Sequence, residues 1–162
     1  GSSSDNSLAN SGAVFVYTRS GTDWSQQAYI KPSNAAVNGG FGSSVSLQGD
    51  LLVVGTDEDS NATTITNGST ASSDTSSENS GAVYVFKRIG TSWSQIAYIK
   101  AVNADAQDSF GSGGSGVAID NSTIVVGSRG EASNQLGITN GNTASSDNSN
   151  SSNGAVYVYR LY

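Results

Sequence analysis

Three carboxylates stand side by side at Asp57, Glu58 and Asp59, with Asn61 close behind, directly after the apolar stretch Leu51-Leu52-Val53-Val54-Gly55. Oxygen donors this dense suit a hard cation such as calcium, which takes about six to eight oxygens from a loop able to encircle it. Asp57 and Asp59 are therefore the candidate metal ligands. The competing reading is a solvated acidic turn, favoured because Arg129, Gly130 and Glu131 occupy the corresponding place in a second copy, described below. Paired carboxylates can also hydrolyse glycosides, one acting as acid and the other as nucleophile or base. The chain has no histidine and no cysteine, however, so the commonest general base and the best thiol nucleophile are both missing. No catalytic residue is assigned, the chain is expected not to be an enzyme, and no cofactor is expected beyond calcium at Asp57 and Asp59.

Composition narrows the classes further. Of 162 residues, 31 are Ser, 15 Asn, 12 Thr and 20 Gly, against one Pro, which suits short strands joined by polar turns rather than helix bundles. The formal charge is −6 and the seven basic residues form no cluster beyond the pair Lys87-Arg88, so a nucleic-acid partner is not expected. No apolar run approaches the ~20 residues of a membrane span. Without cysteine there is neither a disulfide framework nor a thiolate metal site. Cysteine-free, acidic chains rich in Ser, Asn, Thr and Gly fit an exported bacterial surface protein, and the expected location is secreted or cell-surface.

The elements that must position any site come from an internal repeat. Gly12-Ala13-Val14-Phe15-Val16-Tyr17 recurs as Gly81-Ala82-Val83-Tyr84-Val85-Phe86 at an offset of 69 and as Gly154-Ala155-Val156-Tyr157-Val158-Tyr159 a further 73 on. At the first offset Trp24-Ser25-Gln26 matches Trp93-Ser94-Gln95, Ala28-Tyr29-Ile30-Lys31 matches Ala97-Tyr98-Ile99-Lys100, and Phe41-Gly42 matches Phe110-Gly111. The second unit then gains three residues around Gly113-Gly114-Ser115, after which Val53-Val54-Gly55 pairs with Val125-Val126-Gly127. The polar linkers agree too, Ile65-Thr66-Asn67-Gly68 with Ile138-Thr139-Asn140-Gly141. Constraint on the loops and recent duplication both explain that match. The expected organisation is residues 1–11 as the tail of a preceding linker, 12–80 and 81–153 as two repeat units, and 154–162 as the first strand of a third.

Each unit reads as four strands. The stretch 13–19, with its copies at 82–88 and 155–160, is β-branched and aromatic on both faces, which predicts a strand covered on both sides. The stretch 24–31 alternates and reads as an outer strand; strands follow at 41–47 and 51–56, joined tightly through Gln48-Gly49-Asp50. The aromatic residues read as core packing. Linkers 57–80 and 128–153 are favoured by position for partner contact, with a solubilising spacer as the alternative.

Phe41-Gly42, then Val53-Val54-Gly55, then Gly81-Ala82-Val83-Tyr84-Val85-Phe86 resembles the FG-GAP repeat of integrin α-subunits and many bacterial surface proteins, and the second unit repeats the pattern. The resemblance implies an all-β fold of antiparallel four-stranded propeller blades. The Phe-Gly strand would be innermost and the Trp strand outermost, giving one complete blade (41–100) flanked by two partial ones. Two departures are visible. Gly55-Thr56-Asp57 and Gly127-Ser128-Arg129 replace the Gly-Ala-Pro of the family name, and Gln48-Gly49-Asp50 and Asp120-Asn121-Ser122 are too short for the family's calcium loop. Propellers typically close with about 4 to 8 blades, so the chain is expected to be part of a larger propeller or a self-associating protomer. Its expected partner-contact strand is Gly154, Ala155, Val156, Tyr157, Val158 and Tyr159. Three functions stay open: an adhesion module binding a glycan or protein ligand, a structural unit forming oligomers or filaments, and a fragment of a carbohydrate-active enzyme.

Overall fold

The computed structural model describes residues 6–113 and 116–162, so the first five residues of the expected linker tail and the inserted Gly114 and Ser115 lie outside the described residues. Ten strands run in order as β1 (Val14–Ser20), β2 (Asp23–Ile30), β3 (Ser44–Gln48), β4 (Leu51–Thr56), β5 (Thr66–Asn67), β6 (Ala82–Ile89), β7 (Ser92–Ile99), β8 (Val117–Asp120), β9 (Thr123–Ser128) and β10 (Ala155–Arg160), with no helix among the described residues. They form three antiparallel sheets ordered β1-β2, β3-β4-β6-β7-β5 and β10-β9-β8. The expected phasing holds: the last two strands of one blade, one complete blade, then the first three strands of another. Among the described residues no sheet closes into a ring.

Two local differences have physical causes. The strand expected at 41–47 begins only at Ser44, because Gly40 and Gly42 take φ of +59° and +96°, outside the extended range. Phe41 instead makes a single parallel bridge to Gly12. The Trp strand is not the outer edge of the complete blade, because the linker returns as β5 and pairs Thr66 with Tyr98 and Asn67 with Ala97.

The core lies between the sheets. Val14, Val16, Ala28 and Ile30 of the first blade meet Leu52, Val54, Tyr84 and Phe86 of the second. Across the second interface Val53, Val83, Val85 and Ile99 meet Phe110, Val117, Ile124 and Val126. Central β6 is buried on both faces from Ala82 to Phe86, and each fully buried valine there contributes about 1.5–3 kcal/mol. The expected double cover fails for its copies. Phe15 and Tyr17 of β1 are 45% and 52% exposed, and Val156 and Val158 of β10 are 69% and 66% exposed, because nothing described packs on the outer face of either flanking blade.

The blades approach until backbones touch. A Cβ added to Gly55 would lie 1.8 Å from the Gly111 carbonyl oxygen, the same oxygen that accepts a 2.6 Å hydrogen bond from the Ser44 hydroxyl. Only glycine fits there. Gly81 has φ +82° and its Cβ position falls 2.3 Å from the Phe110 oxygen, so neither the dihedral nor the space admits another residue.

Candidate functional site

The end of β4 and the start of β6 bring together a dense polar constellation. Thr56 closes β4, and the next turn carries Glu58 inward to 8% exposure. Tyr98, near the end of β7, donates its hydroxyl to both carboxylate oxygens of Glu58 at 2.8 and 2.9 Å. Lys100, just past β7 and 1% exposed, donates to Glu58 Oε2 at 3.3 Å, to Ser80 Oγ at 2.7 Å and to the Gly81 carbonyl. All three ammonium protons therefore have acceptors. Asn34, from the connection leaving the first blade, donates from Nδ2 to Glu58 Oε1 at 3.1 Å and accepts on Oδ1 from the Tyr84 hydroxyl. One carboxylate thus ties two blades and both ends of the linker together.

Burial dominates the electrostatics. It pushes the Glu58 carboxyl up and the Lys100 ammonium down, and the attraction between the two groups opposes both displacements. Tyr84 and Tyr98 are pushed far above the ordinary phenol range, by burial first and by the Glu58 charge second, so they remain protonated donors.

The second unit repeats half of this arrangement. Glu131, 3% exposed, is the counterpart of Glu58 at the repeat offset of 73. Asn103 donates to its Oε1 at 3.1 Å and accepts from the Tyr157 hydroxyl at 2.7 Å. The Gly154 amide donates to the Glu131 carbonyl at 2.9 Å, as the Gly81 amide does to that of Glu58 at 2.8 Å. Tyr157 is pushed up to about 12, again by burial before the Glu131 charge. Nearby Asp108, on the loop before Phe110, is pushed up to about 6 by burial, against the Asp105 amide that donates to it at 2.9 Å.

The acidic cluster at 57–59 divides three ways. The Asp57 carboxylate stands against Gly40, its Oδ2 2.6 Å from where a Cβ of that residue would sit. Asp59 accepts on Oδ1 from the Asn79 amide at 2.8 Å and closes the base of the linker. Glu58 belongs to the interior, which corrects the reading of the whole cluster as a solvated turn. Among the described residues no group of three or more His, Cys, Asp or Glu side chains converges as a metal site would require. The expected contact strand, Gly154 to Tyr159, has Tyr157 and Tyr159 stacked edge-on against Phe110 at 5.2 and 6.2 Å between ring centroids. Its valines and its outer edge remain open.

Glu58 and Lys100 line neither of two clefts that reach the surface among the described residues. One, of about 490 Å³, lies between β2 and β7 and is lined by Gln27, Lys31, Ser33, Thr91, Trp93 and Gln95 among others. Trp93 Nε1 donates to Gln27 Oε1 at 3.0 Å, and the buried Gln95 Oε1 has no hydrogen-bond partner among the described residues. Sequence reasoning missed both the Glu58 network and this cleft. The alignment of Glu58 with Glu131 and of Asn34 with Asn103 was the available signal for the first.

Stacked antiparallel blades held by buried polar ties and carrying an open cleft between outer strands define a β-propeller-type module. Residues 24–86 match the model of the FG-GAP repeat, which supports an FG-GAP repeat over that part of the chain. The matched span runs from Trp24 in β2 to Phe86 in β6. No curated protein and no solved structure matched the chain. Among the described residues no helix is long and apolar enough to cross a membrane.

Proposed function

We propose that the protein is a non-catalytic, secreted or cell-surface binding module whose ligand, a glycan or the polar surface of another protein, seats in the cleft between β2 and β7. The observation carrying this reading is the cleft itself: paired amides, hydroxyls and an indole from two adjacent blades, with one buried acceptor, Gln95 Oε1, lacking a donor. Such groups orient a polyhydroxylated or amide-bearing ligand without performing chemistry on it. The buried carboxylates work against a hydrolase, because Glu58 spends both oxygens on Tyr98, Lys100 and Asn34.

A glycan and matrix-protein array tests this. Binding that weakens about tenfold or more in Gln95→Ala, as expected when a ligand hydrogen bond in a sheltered site is lost, supports it; an array with no hits overturns it. A second reading, a self-associating structural unit, is favoured by the apolar faces at Phe15 and Tyr17 and at Val156 and Val158. Concentration-dependent mass in light scattering, with no hits on the array, would select it.

A further inference from the structure

Lys100 and Asn34 meet on one carboxylate. Glu58, on the turn after β4, takes the lysine ammonium on Oε2 at 3.3 Å and the carboxamide nitrogen of Asn34 on Oε1 at 3.1 Å. A buried ion pair needs only the first of these contacts. The second comes with a setting of its own. Asn34 Nδ2 also donates to the Ser72 carbonyl, and Asn34 Oδ1 accepts from the buried hydroxyl of Tyr84. These partners fix which end of the carboxamide is oxygen and which is nitrogen: the carbonyl faces a donor, and the amino group faces Glu58.

Each half of the arrangement also occurs by itself. Asn103 donates to Glu131 Oε1 and the Ser145 carbonyl and accepts from the Tyr157 hydroxyl. Lys31 donates to Ser11 Oγ and the Gly12 carbonyl, as Lys100 does to Ser80 Oγ and the Gly81 carbonyl. Among the described residues, amine, carboxylate and carboxamide come together at Glu58.

These are the groups of an acyl transfer to an amine. A lysine becomes a nucleophile where burial favours its neutral form, and a carboxyl carries protons best where burial raises it towards neutrality. Burial acts on Lys100 and Glu58 in those two directions. A donor fixed on a carbonyl oxygen steadies the charge that develops there on attack, and the Tyr84 hydroxyl holds that place on Asn34. Lys100, Glu58, Tyr84 and Tyr98 are all buried, which keeps water from competing for the carbonyl.

We infer that Lys100 and Asn34 close an isopeptide bond, with Glu58 carrying protons between them. Glu58 takes a proton from the ammonium, and Nζ turns from the Gly81 carbonyl along the carboxylate towards Asn34, a movement that the flexible four-carbon stem of lysine allows. Nζ bonds to Cγ of Asn34 while the Tyr84 hydroxyl holds the oxygen of the adduct. The Cγ–Nδ2 bond then breaks as Glu58 hands a proton to the departing nitrogen. One carbon–nitrogen bond forms and one breaks: a lysine ammonium and a carboxamide become a secondary amide and an ammonium ion, with nothing oxidised or reduced. The new bond joins the connection after β2 to the residue following β7, so that β3 to β7, the complete blade, lie within one covalent loop. Until it closes, the two side chains act as the ion pair described above. The reaction is a single turnover of the chain on itself. Glu58 and Lys100 line neither cleft, so it stands or falls independently of the proposed ligand site.

The test is the mass of the whole chain, kept folded and then denatured. The wild-type protein is expected to weigh less than its sequence by one ammonia, and tandem mass spectrometry of a protease digest is expected to find a branched peptide joining Asn34 to Lys100. Lys100→Arg, which keeps a cation beside Glu58, is expected to give no branched peptide and to migrate more slowly than wild type on a denaturing gel, as an open chain does. Glu58→Gln is expected to lose the branch as well, and a branch that persists there overturns the part given to Glu58. A wild-type chain of full mass overturns the proposal. So does an ammonia loss that maps instead to an Asn-Gly pair such as Asn140-Gly141, where closure onto the next backbone amide releases ammonia without a branch. The wild-type mass and digest decide the matter even if Glu58→Gln fails to fold.

Discussion

The linkers of the two repeat units carry nearly the same words and do different things with them. Both close at the base in the same way: the Asn61 amide donates to Asp74 Oδ2 at 2.9 Å, and the Asn134 amide to Asp147 Oδ2 at 3.1 Å. Both acceptor carboxylates are held below the ordinary range, Asp74 chiefly by the Asn61 amide and Asp147 chiefly by the Ser149 hydroxyl. At the tips they part. Ile65-Thr66-Asn67-Gly68 forms β5 on the edge of β7, and the Gly68 amide donates to Ile96 at 2.7 Å. Ile138-Thr139-Asn140-Gly141, identical in sequence, forms no strand and leaves Ile138 92% exposed. The order of the tip comes from the strand beside it rather than from its own residues, which is tertiary context overriding local preference.

That contrast between units can be pushed until it breaks. The largest effect is expected at the buried cation. Lys100→Ala leaves Glu58 buried without its charge partner and should cost about 3–5 kcal/mol, the penalty for removing one member of a buried pair. Lys31→Ala, where among the described residues the ammonium meets the Ser11 hydroxyl and the Gly12 carbonyl and no carboxylate, should cost well under half of that. Urea denaturation of the two variants measures the gap, and equal losses would mean that the Glu58 pairing adds nothing.

Next in size is the backbone contact. Gly55→Ala drives a Cβ into the Gly111 carbonyl and should destabilise by roughly 1–3 kcal/mol or more. Gly127→Ala at the equivalent position, with nothing within 4 Å, should be close to neutral. Thermal melts of the pair give the comparison directly.

Asp108 gives a smaller effect with a definite sign. Its folded pKa of about 6 lies above the ordinary aspartate value of 3.8, so the fold is favoured by the protonated form. That contribution is complete below about pH 4 and is lost as pH rises through about 6. Asp108→Asn should therefore raise Tm at pH 7 by roughly 2–4 °C and leave it unchanged at pH 4. The first unit has Gly39 in that place and lacks this pH dependence. Smallest and most local is hydrogen exchange: the Gly68 amide should be protected and the Gly141 amide should exchange as fast as an open loop.

Much of the architecture was legible because a propeller blade repeats its core. Three copies of the Gly-Ala-Val strand and two of the Phe-Gly segment were enough to phase the sheets, and the all-β class followed from composition. β5 was not legible, since Ile65-Thr66-Asn67-Gly68 and its copy are identical and only one pairs. The role of Glu58 was hidden for a different reason. Beside Asp57 and Asp59 it looks like one more surface charge, and its inward direction is set by Tyr98 and Lys100, about forty residues on. Comparing Glu58 with Glu131, rather than the acidic triplet with its copy, separates it from its neighbours.

β1, β6 and β10 are nearly the same strand in three places, and this bears on how the chain reaches its structure. During refolding β4 can pair with the Gly12 or the Gly154 copy almost as well as with its proper partner β6, and β9 faces the same choice. These mispaired registers bury similar apolar side chains and must dissolve before the blades can stack. Refolding is therefore expected to show a slow phase whose amplitude grows with protein concentration, as copies trade strands between molecules. A Val→Thr change confined to one copy should shrink that phase by making the three strands distinguishable.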